Sequence, residues 1–132
     1  MSYEIETEPP TPAEFVSLRR AAGLNPHTEA AASRGLGNEL FAVTIRDGER
    51  AVAMGRIVGD GATVYHVVDI AAHPDHQGEG LGRRLMEALL AYLDENAPET
   101  AYVNLIANVP EFYEQFGFEA CAPELVGMDR QS

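Results

Sequence analysis

Residues 3–8, YEIETE, alternate apolar and acidic side chains, the period of a half-buried strand. The period then changes. In TPAEFVSLRRAAG (11–23), Phe15, Leu18 and Ala22 recur at helical spacing. Thr11 and Glu14 form a capping-box pair around Pro12 at the first helical position, and Gly23 marks a stop. A second short helix is expected from Asn25-Pro26 to about Gly35. Residues 39–73 read as a β-meander of three antiparallel strands, with Asp47-Gly48 and Asp60-Gly61 as its turns. The clearest helix covers 80–95, where Leu81, Leu85, Met86, Leu89, Leu90 and Leu93 build a wide apolar stripe. A strand over 100–108, a short helix in PEFYEQF closed by Gly117, and two last strands in FEAC and ELVGM complete the chain. The strand–helix–strand unit over 62–107 should be a right-handed parallel crossover, which makes the fold mixed α/β with one central sheet.

At 132 residues and 45% apolar content the chain is long enough to fold as one domain, residues 1–132, without staples. Its single cysteine, Cys121, excludes an intramolecular disulfide and reads as a small packed residue. The absence of a leader-like start or a ~20-residue apolar run predicts a cytoplasmic protein with no membrane partner. A net charge of −12 argues against a nucleic-acid partner, since phosphate contacts need cations. All nine basic residues are arginine. The acidic excess fits first a solvated surface shaped by an organism-wide or salt-adapted bias, with attraction of a cationic amine as the competing reading.

HPDHQGEGLG (73–82) places three glycines at alternate positions between a strand and the long helix. A glycine-rich turn at a helix N-terminus gathers free N–H groups and the positive end of the helix dipole, which suits a phosphate. Gly78, Gly80 and Gly82 would let the backbone come close, and Arg83 and Arg84 would add donors. The chain has no lysine for a P-loop, and G-x-G-x-G after antiparallel strands is not a dinucleotide fingerprint. A turn that needs glycines only to turn would look the same.

Two stretches together are more specific. Gln77-x-x-Gly80-x-Gly82, and Asn108-Val-Pro-Glu-Phe-Tyr113-Glu-Gln-Phe-Gly117-Phe118 about thirty residues on, resemble the two signature segments of the GNAT N-acetyltransferase superfamily. The resemblance implies an α/β fold with a mostly antiparallel central sheet of six to seven strands, a splayed parallel pair in its middle and about four flanking helices. It implies acetyl-CoA as co-substrate. Backbone amides of Ile70, Ala71 and Ala72 would meet the pantetheine and the thioester carbonyl. Gln77, Gly78, Glu79, Gly80, Leu81, Gly82 and Arg83 would cradle the pyrophosphate. Asn108 would touch the cofactor, although an asparagine before a short helix also serves as a cap. Tyr113 would protonate the departing thiolate.

The base is less marked. His66 lies on the strand before the turn, at the parity of Val68 and Ile70, and an imidazole suits proton removal near neutral pH. A lone strand histidine also serves structure. Asp69 has the opposite parity unless a bulge intervenes. Val68 stands where arylalkylamine-specific relatives carry a second histidine, which weakens that substrate. His73 and His76 should face solvent, and with His66 they match no zinc spacing, so no metal is expected. The acceptor read from this is a small primary amine such as a polyamine, arylalkylamine or amino-acid-like molecule. A non-catalytic acyl-CoA sensor and an enzyme for protein or peptide amines are the alternatives. The resemblance also admits a homodimer, though no stretch marks an interface.

Overall fold

A computed structural model describes residues 2–130. Its elements run β1 (Tyr3–Glu6), α1 (Pro12–Ala21), α2 (Glu29–Gly35), β2 (Phe41–Asp47), β3 (Arg50–Gly59), β4 (Val64–Ala72), a 3-10 turn (Pro74–His76), α3 (Leu81–Asn96), β5 (Tyr102–Leu105) and α4 (Pro110–Glu114). The sheet has five strands in the order β1-β2-β3-β4-β5. All neighbours are antiparallel except β4 and β5, the two ends of the α3 crossover.

Two expectations need correction. The sheet has five strands where six to seven were expected, because FEAC and ELVGM form no strand. Pro123 between them has no N–H to give a ladder, and the Leu125 N–H turns back to the Cys121 carbonyl. The parallel pair therefore lies at the sheet edge rather than in its middle. The second helix also starts later, at Glu29, because the Thr28 side chain caps it by accepting from Ala31 N–H at 3.0 Å. The Asn25 carbonyl is instead held by Arg19 Nε at 2.8 Å.

Two apolar layers fix the sheet. On one face Leu81, Leu85, Met86, Leu89 and Leu93 of α3 pack on Val43, Ile45, Val52, Ile57, Tyr65 and Val67. Side chains as fully buried as Leu85 and Leu89 contribute roughly 1.5–3 kcal/mol each. On the other face Phe15 and Leu18 of α1 and Ala32 of α2 cover Ala51, Met54 and Ala71.

The capping box at α1 is present in full, and it is wired to the sheet. Arg46 on β2 reaches Glu14 with Nη1 at 2.8 Å and Glu6 with Nε at 2.7 Å. The Arg46 guanidinium holds the Glu14 carboxyl below its ordinary value. A carboxyl lowered in the folded state stabilises above its unfolded value and loses that contribution as pH falls through the folded one. Glu14→Gln should therefore flatten the acid limb of stability and cost about 1 kcal/mol at neutral pH. Urea unfolding of both proteins between neutral and acid pH measures this.

Candidate functional site

The glycine turn splits into two kinds of position. Gly78 and Gly80 adopt φ of 84° and 75°, the left-handed region, and a Cβ at either would point into open space. Gly80 is the N-cap of α3 and brings no side chain to the free amides of the first turn. Gly82 differs from expectation. It lies inside the helix, and a Cβ there would stand 3.0 Å from Phe112 Cζ. Its smallness serves the packing of α4 on α3, one residue from Tyr113.

The acid in this turn is tied down. The Tyr3 hydroxyl donates to the Glu79 carboxylate and accepts from His76 Nδ1–H at 2.9 Å. His76 Nδ1 also lies 3.5 Å from Glu79. His76 is buried, contrary to the expectation that it faces solvent. The hydrogen bond to Glu79 pushes the Tyr3 phenol up to about 12, so it keeps its proton across the working range. Strand β1 thus anchors the turn, with the Glu79 charge directed to Tyr3 and His76. Gln77 is exposed just after the 3-10 turn. Arg83 Nη2 donates to Gln115 Oε1 at 2.6 Å and its guanidinium lies 5.2 Å over Phe116, so this cation leans on the far side of α4.

Strands β4 and β5 pair over Val64–Val67 and Tyr102–Leu105, and then part. Along Ile70–Ala72, beyond Val67, the outer edge of β4 has no strand partner among the described residues. On the inner side the register with β3 slips, so that Ala71 faces Met54 while Val68 faces Arg56. The slip is a bulge at Asp69, whose φ is 62°. It reverses the alternation. Val67 belongs to the α3 layer, but Ala71 belongs to the α1–α2 layer and Ile70 returns toward α3. His66 and Ile70 consequently do not share a face as their parity suggested. Asp69 turns toward α1 and is buried.

His66 meets Asn104 across the parallel pair, with Nδ1 2.6 Å from Oδ1. A carboxamide oxygen only accepts, so Nδ1 carries the hydrogen and the neutral ring keeps its Nε2 lone pair. Asn104 was not singled out from sequence. Counting strand register from the two ends of the crossover would have set it opposite His66.

Tyr113 lines a groove of about 710 Å³ beside β5, α4 and the segment 117–127, together with Asn104, Leu105, Pro110 and Phe118. Its ring meets Phe112 edge-on at 5.1 Å, and burial raises its phenol above the ordinary range. Asn108 is exposed at the bend before α4. The cap position of α4 is Val109 and no side chain caps it, so the capping alternative for Asn108 falls away. Cys121 is exposed on the groove wall, not packed as expected.

On the opposite face, Phe15, His27, Ala31, Ala32, Leu36 and Arg56 enclose a small cavity of about 130 Å³ between α1, α2 and the sheet.

Residues 30–120 match the acetyltransferase (GNAT) domain family. A crystal structure of a Staphylococcus aureus protein of unknown function, described as a probable acetyltransferase, superposes with a TM-score of 0.95. It is 38% identical, and the match covers 99% of this chain and 100% of that one. The histone acetyltransferase TAP1 of Glycine max is 34% identical over 82 residues, which is 61% of this chain and 35% of that protein. The chloroplastic serotonin N-acetyltransferase 2 of Oryza sativa is 35% identical over 79 residues, 60% of this chain and 40% of that protein. The match thus spans little more than a third of the length of these curated relatives.

Proposed function

The chain belongs to the GNAT acetyltransferase family, and from that premise we propose that it passes the acetyl group of acetyl-CoA directly to the primary amine of a small molecule. The observation that carries the reading is the parting of β4 from β5 after Val67 and Leu105, next to the uncapped N-terminus of α3. An opening between strands, continued by free helix amides, suits a long thiol cofactor whose anionic end is a pyrophosphate. The residues fit that group: Gly78 and Gly80 leave open the space a Cβ would fill, and Glu79 is engaged by Tyr3.

In this reading the amides of Ile70, Ala71 and Ala72 meet the thioester carbonyl and stabilise the charge that develops there. Gln77, Gly78, Glu79, Gly80, Leu81, Gly82 and Arg83 form the pyrophosphate turn by their backbone, and Asn108 stands at the exit of the opening. His66 Nε2 takes the proton of the amine, directly or through water. Tyr113 gives its proton to the departing sulfur. The cavity of about 130 Å³ between α1, α2 and the sheet offers a place for part of a small acceptor. The names of the relatives do not decide this, as one acts on histones and another on serotonin.

Thiol release from acetyl-CoA against small amines, amino acids and short peptides tests the proposal. Turnover with the small amines supports it. Turnover with peptides alone would reassign the acceptor, and tight cofactor binding without turnover would make the chain an acyl-CoA sensor. In the same assay Gly80→Val should weaken acetyl-CoA binding about tenfold, because left-handed backbone costs a branched residue ~1–2 kcal/mol. Calorimetric titration of the cofactor reads that change.

A further inference from the structure

Asp69 is the only non-glycine residue with positive φ among those described, and it sits in the bulge immediately before Ile70–Ala72. Its side chain is 4% exposed. Oδ1 accepts from Arg19 Nη1 at 2.5 Å and Oδ2 from Arg56 Nε at 2.8 Å. Each arginine is held a second time. Arg19 Nε donates to the Asn25 carbonyl at 2.8 Å, and Arg56 Nη1 donates to Glu39 Oε1 at 3.0 Å. Both guanidinium carbons stand 5.7 Å from the centre of the Phe15 ring. The cluster is neutral, two guanidiniums against two carboxylates, and it ties α1, the connection after α1, β3 and the connection before β2 to one strained residue of β4.

A turn needing only left-handed backbone would be served by glycine. A buried aspartate with two arginines does more: it fixes the direction in which the bulge faces. The geometry points to Asp69 as a positioning residue. Its clamp by Arg19 and Arg56 sets the orientation of the Ile70–Ala72 amides from the acceptor side of the sheet. The consequence for turnover rests on the reading above, in which those amides meet the thioester. The clamp itself does not rest on it.

The test uses the full chain with Asp69→Asn, which keeps the shape and tolerates left-handed backbone but removes the charge. Arg19→Met serves as a second variant that leaves the Arg56–Glu39 pair intact. Amide hydrogen exchange should quicken by ~10-fold or more at His73, whose N–H is held by the Val52 carbonyl just past the bulge, while Leu85–Leu89 of α3 change little. In the acetyl-CoA assay kcat per folded site should fall ~10-fold, with the cofactor Kd within about threefold. Unchanged exchange at His73 in both variants overturns the clamp. Quickened exchange with unchanged kcat overturns its role in turnover. A wild-type protein with no turnover on any acceptor would sink the proposed function, and exchange would still decide the clamp. A purely structural role would lower the melting temperature and quicken exchange across the sheet and α3 alike.

Discussion

Tyr113→Phe is expected to lower kcat by ~100-fold while leaving the acetyl-CoA Kd nearly unchanged. The phenol is half-buried against Phe112 and Phe118, and phenylalanine preserves that packing. Only the proton is removed. Burial raises the tyrosine above the ordinary phenol range, so the donor form persists to higher pH. Any loss of rate from ionisation of Tyr113 should therefore begin only above the range of an ordinary phenol. Steady-state rates over pH, beside calorimetric cofactor titration, measure both parts. A kcat equal to wild type in the phenylalanine variant would remove Tyr113 from the chemistry.

His66→Ala should lower kcat/KM at neutral pH by a similar ~100-fold. Asn104 is the reason to choose this histidine over His73 and His76. It takes the Nδ1 hydrogen at 2.6 Å and leaves Nε2 as the acceptor. His76 spends its own Nδ1 on Tyr3. Asn104→Leu removes only that orientation and should give an intermediate loss. If His66→Ala keeps the wild-type kcat/KM, the proton leaves by another route.

Much of the fold is legible in the sequence because local periodicity and local caps decide it. The stripe from Leu81 to Leu93 can be satisfied only by a helix lying on a sheet, and Thr11, Pro12 and Glu14 spell out one cap without help from elsewhere. The end of the chain is less legible. ELVGM has the composition of a strand, but a strand also needs an edge partner, and Pro123 and the turn at Leu125 draw that segment away from β5.

The site divides the same way. The phosphate-like turn is written in adjacent glycines, and Gly78 and Gly80 take the backbone they suggest. Gly82 belongs to the same string but answers to Phe112, thirty residues away in sequence. The ion cluster at Asp69 is built from Arg19, Glu39 and Arg56, which lie far apart in sequence with no motif to join them. Alternation predicted the face of Asp69 wrongly because a single extra residue in β4 inverts every side chain after it.

Every cation in that cluster is a guanidinium, and the chain carries arginine but no lysine. A protein without lysine carries no side-chain amine that could compete for an activated acyl group. An assay of acetyl transfer to an added amine would be free of lysine self-acetylation. Amine-reactive labels, for their part, would find no side chain at all, which leaves the exposed Cys121 as a single handle for a probe beside the Tyr113 groove.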